Sequence, residues 1–174
     1  MNDRTGENAF RAGRRSDRAA YAALVERHYR RVFAVCLGML ANVQDAEDIA
    51  QETMLKGLQN LRTLARPERF EPWILRIARN QCLDLMRRQK RAKTLPVERK
   101  PTHAAGTHQN HDLERAIRRL PQELRLPLTM FYFERKDVVR IARILGISPS
   151  LAYERLRVAR KELHELLTQG DCHE

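Results

Sequence analysis

Residues 137–163 read DVVRIARILGISPSLAYERLRVARKEL, and this stretch decides the C-terminal half of the chain. Ile141, Ala142 and Leu145 give a short helix one apolar face, with a small residue where two helices can cross closely. Gly146 supplies the positive φ of a sharp turn, and Ile147 plugs that turn. Ser148 suits the cap of the next helix, and Pro149 its first position. Leu151, Leu156, Ala159 and Leu163 then face inward. Ser150, Tyr153, Glu154, Arg155 and Arg157 remain on the exposed N-terminal half of the second helix. This is the layout of a helix-turn-helix, in which that half enters the DNA major groove. An ordinary pair of helices joined at a glycine is the plain alternative. The basic second helix, with Arg155, Arg157, Arg160 and Lys161, favours DNA.

Working upstream, Asp112 is placed to cap a helix carrying Leu113, Ala116, Ile117 and Leu120, ended by Pro121. A further helix is expected from about Glu123 to Arg135, with Pro127 starting or kinking it. Residues 90–111 hold two prolines, a glycine and very few large apolar side chains, the composition of a flexible linker. Before it, Tyr21, Leu24, Val25, His28, Tyr29, Val32, Phe33, Cys36, Leu37 and Leu40 form one apolar stripe on a long helix. After a break at Ala41–Gln44, a second helix starts near Asp45, and its Gly57 permits another helix to approach closely. A loop marked by Pro67 and Pro72 leads to a third helix, Trp73 to about Gln89. Its apolar side is Ile74, Ile77, Ala78, Cys82 and Leu85, and its other side shows Arg76, Arg79, Asn80, Leu83, Asp84, Arg87 and Arg88. The expectation is an all-α chain of two small helical domains joined by a flexible linker, the second ending in the helix-turn-helix. A mobile tail spans 1–17, the first domain 18–89, the linker 90–111 and the second domain 112–168.

The chain of 174 residues carries 33 Lys plus Arg against 22 Asp plus Glu, a net charge of +11, which is the footprint of a nucleic-acid binder. No apolar run approaches the roughly 20 residues of a membrane span, and the polar, basic start lacks the core of a secretory signal. Three cysteines without paired spacing point to a reducing compartment, the cytoplasm. Cys36 and Cys82 read as small core residues, and His28 as a packed, hydrogen-bonded one. His103, His108 and His111, and Cys172 with His173, match no structural zinc spacing, so neither metal nor cofactor is expected. No set of residues suggests catalysis, and the chain reads as a non-enzyme.

Against this basic background, residues 45–52 read DAEDIAQE. An acidic helical face repels phosphate, so it points to a protein partner. Asp45 and Glu47 are explained by the positive end of a helix dipole. Glu52 is not, because it lies beyond the first turn.

Four stretches together resemble the extracytoplasmic-function group of bacterial sigma-70-type sigma factors. DAEDIAQETMLK (45–56) resembles the group's core-binding helix, and FEPWILRIARN (70–80), continuing to DLMRR (84–88), its −10-reading helix. LPQELR (120–125) resembles the opening of its second domain. IARILGIS (141–148) with RLRVAR (155–160) resembles its −35-reading helix-turn-helix. The resemblance runs from about Arg18 to Leu167. It implies an alternative sigma factor that binds core RNA polymerase, directs it to promoters and nucleates strand opening.

Asp48, Gln51, Glu52 and Leu55 are then the candidate contacts to the polymerase β′ clamp helices, with further contacts to the β subunit. For the −10 element the candidates are Arg76, Arg79, Asn80, Arg87, Arg88 and Phe70. Phe70 reads equally well as a stacking platform or a core residue, whereas Trp73 reads as core. For the −35 duplex they are Ser150, Tyr153, Glu154, Arg155 and Arg157. An anti-sigma factor is a further partner common in the group. SLAYE (150–154) departs from the group's usual Gly-Thr-Val-Lys-Ser, and Arg140 stands where an acid is common, which leaves the −35 preference open. The rivals are a free-standing helix-turn-helix regulator, which leaves Trp73–Arg88 unexplained, and a basic RNA-binding or polymerase-associated module that does not initiate.

Overall fold

The computed structural model describes residues 14–64, 66–93, 108–133 and 137–170, and all of its regular elements are helical. Helix α1 is Arg14–Leu40, α2 is Val43–Gln59 and α3 is Phe70–Lys93, with 3-10 turns at Leu61–Thr63 and Pro67–Arg69 between the last two. Helices α4 (His108–Arg119), α5 (Gln122–Phe133), α6 (Val138–Leu145) and α7 (Pro149–Gly170) follow.

The first three helices form one unit. Helix α1 stops where Ala41 turns to a left-handed φ of 55°. Asn42 then caps α2, its side-chain oxygen accepting from the Asp45 amide at 3.0 Å. Val32, Cys36, Ala46, Ala50, Ile74, Ala78 and Cys82 are fully buried between the helices. A Cβ on Gly57 would stand 2.5 Å from the Tyr21 hydroxyl and 2.7 Å from Ile74 Cδ1, so the expected close helix approach is present. Buried Thr53 and Gln81 satisfy each other across α2 and α3, Gln81 Nε2 donating to Thr53 Oγ1 at 2.8 Å.

The second unit packs Ala116, Leu120, Leu128, Met130, Ile141, Ala142, Ala152, Leu156 and Ala159 inside. Asp137 caps α6 by accepting from the Arg140 amide at 2.9 Å. Gly146 takes φ 68°, its amide donates to the Arg143 carbonyl, and the Ile147 amide to that of Ala142. Ser148 Oγ accepts from the Leu151 amide at 3.2 Å as the cap of α7. The helix-turn-helix is therefore formed by the residues its sequence nominates.

Several boundaries differ from expectation because helices extend past their sequence signals. Helix α1 begins at Arg14 and α3 spans Phe70–Lys93. Asp112 is no cap: α4 begins at His108, and Asp112 lies within it, paired with Arg115 at 2.6 Å. Leu151 is 40% exposed, and Ala152 takes the inward place instead. The expected linker falls largely on 94–107, outside the described residues, as do His103, Cys172 and His173.

The two units pack on each other. Ala34, Val35, Gly38 and Met39 form a second buried stripe on α1, covered by α5. Phe33 meets Phe133 edge to face at 5.4 Å, and Thr129 Oγ1 donates to the Ala34 carbonyl at 3.0 Å. Arg125, buried, donates to the carbonyls of Gly38 at 2.8 Å and Met39 at 3.3 Å.

Candidate nucleic-acid interface

Three faces carry the residues singled out by sequence, and each is set by a different helix. On α2 the buried positions Ala46, Ile49, Ala50, Thr53 and Met54 turn Asp48, Gln51, Glu52 and Leu55 outward together. Leu55 is 61% exposed, an apolar side chain at the C-terminal edge of the acidic surface. Glu52 pairs with Lys56 at 2.6 Å, and both side chains stay half exposed. Asp45 is engaged elsewhere, accepting from Gln89 of α3 at 3.1 Å.

On α3 the exposed side carries Arg76, Arg79, Asn80, Arg87 and Arg88, a stripe repeating every three or four residues. Arg87 leans on Asp84 at 3.0 Å. Phe70 is a correction to the list: it is 2% exposed, enclosed by Tyr21, His28 and Trp73 with ring centroids 6.2, 5.1 and 5.8 Å away. Its ring is part of the core and is closed to a base. Trp73 is half-buried beside it. The same pocket holds His28, whose ring nitrogen lies 3.3 Å from Arg31, and burial with the neighbouring Arg31 charge pulls its pKa down to about 4.

On α7, Ser150, Tyr153, Glu154 and Arg157 are exposed. Glu154 grips Arg157 with two hydrogen bonds, 3.1 Å to Nε and 2.7 Å to the terminal nitrogen. That bonding holds the Glu154 carboxyl below its ordinary pKa range and raises Arg157 above its own. The pair presents a planar guanidinium in a fixed orientation, a form suited to a guanine edge. Arg155 is half-buried and points the other way, into a groove of about 510 Å³ between the two units. Arg76 and Arg79 of α3, Arg143 of α6 and the apolar Leu75, Leu126 and Ile144 also line it.

Sequence reasoning missed Arg125, Thr129 and Glu71. Glu71 Oε2 receives Arg31 at 2.5 Å and Arg140 at 2.6 Å, the second from the other unit. Among the described residues no group of three or more His, Cys, Asp or Glu could hold a metal ion, and no helix is long and apolar enough to cross a membrane.

The pattern of Sigma-70 region 2 matches residues 24–92, and that of Sigma-70, region 4 matches residues 110–163. The ECF RNA polymerase sigma factor SigM of Mycobacterium tuberculosis is 30% identical over 154 residues, spanning 87% of this chain and 79% of that protein. The chain belongs to the ECF group of sigma-70 sigma factors.

ECF sigma factor SigW of Bacillus subtilis is 24% identical over 172 residues, spanning 88% of this chain and 92% of that one. The fold is shared with CnrH, solved with the cytosolic domain of CnrY, at a TM-score of 0.65 and 20% identity over 97% of this chain and 96% of that one. RpoE of Bartonella quintana, solved with the anti-sigma factor NepR, gives 0.63 and 21% over 85% and 96%. As an ECF sigma factor the chain is a transcription-initiation factor that directs RNA polymerase, and it is not an enzyme. Region 2 covers the α1–α3 unit and region 4 the α4–α7 unit.

Proposed function

We propose that the three faces divide the work of initiation. The α2 surface of Asp48, Gln51, Glu52 and Leu55 docks on the β′ clamp helices of core polymerase, with Leu55 as its apolar anchor. The arginine stripe of α3, with Asn80, takes the −10 element as a single strand: the guanidiniums hold phosphates and the amide meets a base edge. The exposed half of α7, led by Arg157 with Tyr153 beside it, reads the −35 duplex, and Arg155 joins once it leaves the groove. The protein works in the cytoplasm, where the polymerase is. An anti-sigma factor is a natural regulator, since one solved likeness, RpoE of Bartonella quintana, is a complex with an anti-sigma factor.

The observation that supports this reading best is the segregation of charge over two helices fixed to each other. Acids and Leu55 lie on α2, arginines lie on α3, and the Thr53–Gln81 bond joins them. Run-off transcription with purified core polymerase on genomic promoter fragments tests it. Asp48→Arg should abolish core binding, while Arg155→Ala should spare it and weaken −35 DNA. Equal loss of core binding in both variants would overturn the division.

A further inference from the structure

The start of α7 leaves two large apolar side chains in water. Leu151 is 40% exposed and Tyr153 58%. Neither has an inward place to take, because Ala152, Leu156 and Ala159 fill the packed side of the helix. Helical spacing sets each beside one member of the ion pair described above: Leu151 three residues before Glu154, and Tyr153 four before Arg157. Both oxygens of Glu154 are engaged by Arg157. The polar centre of this face is therefore committed to holding one guanidinium, and its flanks are apolar.

Chemistry narrows what such flanks can read. In the major groove the bases present hydrogen-bond donors and acceptors, and the C5-methyl of thymine is the one apolar group of that code. An aliphatic or aromatic tip entering beside a guanidinium gains by burying that methyl. It loses wherever it covers a polar edge and leaves it unpaired. Side chains three or four residues apart on a helix stand about 5–6 Å from each other, against ~3.4 Å between successive bases. A methyl touched by Leu151 or Tyr153 thus belongs to a base pair one or two steps from the one that Arg157 meets. Leu151 has no polar side-chain atom with which to hold a phosphate instead. The Tyr153 hydroxyl has that capacity, and Tyr153→Phe separates it from the contact made by the ring.

We infer that Leu151 and Tyr153 are specificity-determining residues that select thymine in the −35 element through its C5-methyl group, within about two base pairs of the pair that Arg157 reads. 5-Methylcytosine carries the same methyl at the same place, and at those positions it is taken in preference to cytosine. The inference deepens the proposed reading of the −35 duplex by α7 and rests on it.

The test uses holoenzyme formed from the full chain and core polymerase. A genomic promoter fragment that the holoenzyme retains is randomised across its upstream element. The library is amplified in three forms: with thymidine, with deoxyuridine in its place, and with 5-methylcytidine in place of cytidine. Deoxyuridine keeps the hydrogen-bonding edge of thymine and lacks only the methyl. Burying one methyl-sized group is worth about four-fold in binding, so thymine should be enriched about four-fold at one or two positions of the first library. Uracil should show no such enrichment there in the second, and cytosine should be enriched there only when methylated. Leu151→Ser and Tyr153→Ser should each erase the methyl effect at one position while the base pair read by Arg157 is still selected. Tyr153→Phe should keep it. Both side chains are exposed, so these variants have no cause to unfold, and circular dichroism checks this. Thymine enrichment that is absent, or equal with and without the methyl, overturns the inference, as does a methyl effect that survives both serine variants. In any of those cases Arg157→Ala separates the two levels: if it changes the upstream preference, the reading of the −35 duplex by α7 stands without the methyl contacts. If neither it nor the serine variants change that preference, the reading falls as well.

Discussion

The Tyr21 hydroxyl lies 2.5 Å from the point a Cβ on Gly57 would occupy, and the same hydroxyl donates to the Met54 carbonyl. Burial pushes the pKa of Tyr21 up to about 12, so it remains a donor throughout the ordinary pH range. Gly57→Ala should therefore destabilise region 2. Overpacking costs about 1–3 kcal/mol, and the gain in helix propensity returns about 1 kcal/mol at most. Urea unfolding followed by circular dichroism measures the difference. A stabilised Gly57→Ala would mean that α1 and α2 can separate freely at this point.

His28 makes stability depend on pH. Its folded pKa of about 4 lies below the ordinary 6.5, so the unfolded chain binds more protons between those values. Above pH 6.5 the imidazole is neutral in both states and nothing is lost. As pH falls toward 4 the unfolded state protonates first and stability declines, by about 1–2 kcal/mol at pH 5. His28→Gln should flatten this part of the profile in denaturant titrations at pH 7, 6 and 5. An unchanged slope would place the responsible group elsewhere.

Cys36 and Cys82 are both fully buried, and hydrogen bonding to Cys82 together with burial raises the Cys36 thiol far above its ordinary range. Only a thiolate reacts at a useful rate. A chromogenic disulfide reagent at pH 8 should leave both unmodified in the native chain and modify both in guanidinium chloride. Labelling sites found by peptide mass mapping decide the matter, and fast native labelling of either would refute their burial.

Arg157 offers a sharper test of promoter reading. Arg157→Lys keeps the charge but loses the two-pronged geometry that Glu154 fixes. Holoenzyme carrying it should keep the salt dependence of binding yet lose about 1–3 kcal/mol of discrimination at one position of the −35 element. Arg157→Ala should in addition lower the salt slope by about one unit if the side chain also holds a phosphate. Affinities for a set of single-base variants of one promoter, at two salt concentrations, separate these outcomes.

The helix-turn-helix was legible because its signals are local. Gly146, Ser148 and Pro149 do in the structure what glycine, serine and proline do at any such turn. Gly57 was legible for the same reason. Phe70 was not, since an aromatic at a helix start suits a core and a base stack equally, and only its enclosure by Tyr21, His28 and Trp73 decides. Arg125 was invisible: a guanidinium bonded to backbone carbonyls 86 and 87 residues away leaves no pattern in the chain. One clue was present and unused. Residues 32–40, VFAVCLGML, are apolar on every side, and a helix apolar all round must be covered on both faces. That run announced a second partner for α1, which proves to be α5.

The polar link from α2 to α3 has a mechanical consequence. Gln81 donates to Thr53 at 2.8 Å and accepts from Lys56 at 3.0 Å, so two rungs of hydrogen bonds join the helices near their middles. Hydrogen bonds of this kind resist sliding and twisting, which a greasy contact alone would permit. On the proposed assignment of faces, a pull exerted by DNA on the arginines of α3 would reach the surface of α2 as torque, without slack. The pair of helices would then work as a wrench, one jaw gripping a strand while the handle stays bolted to the polymerase.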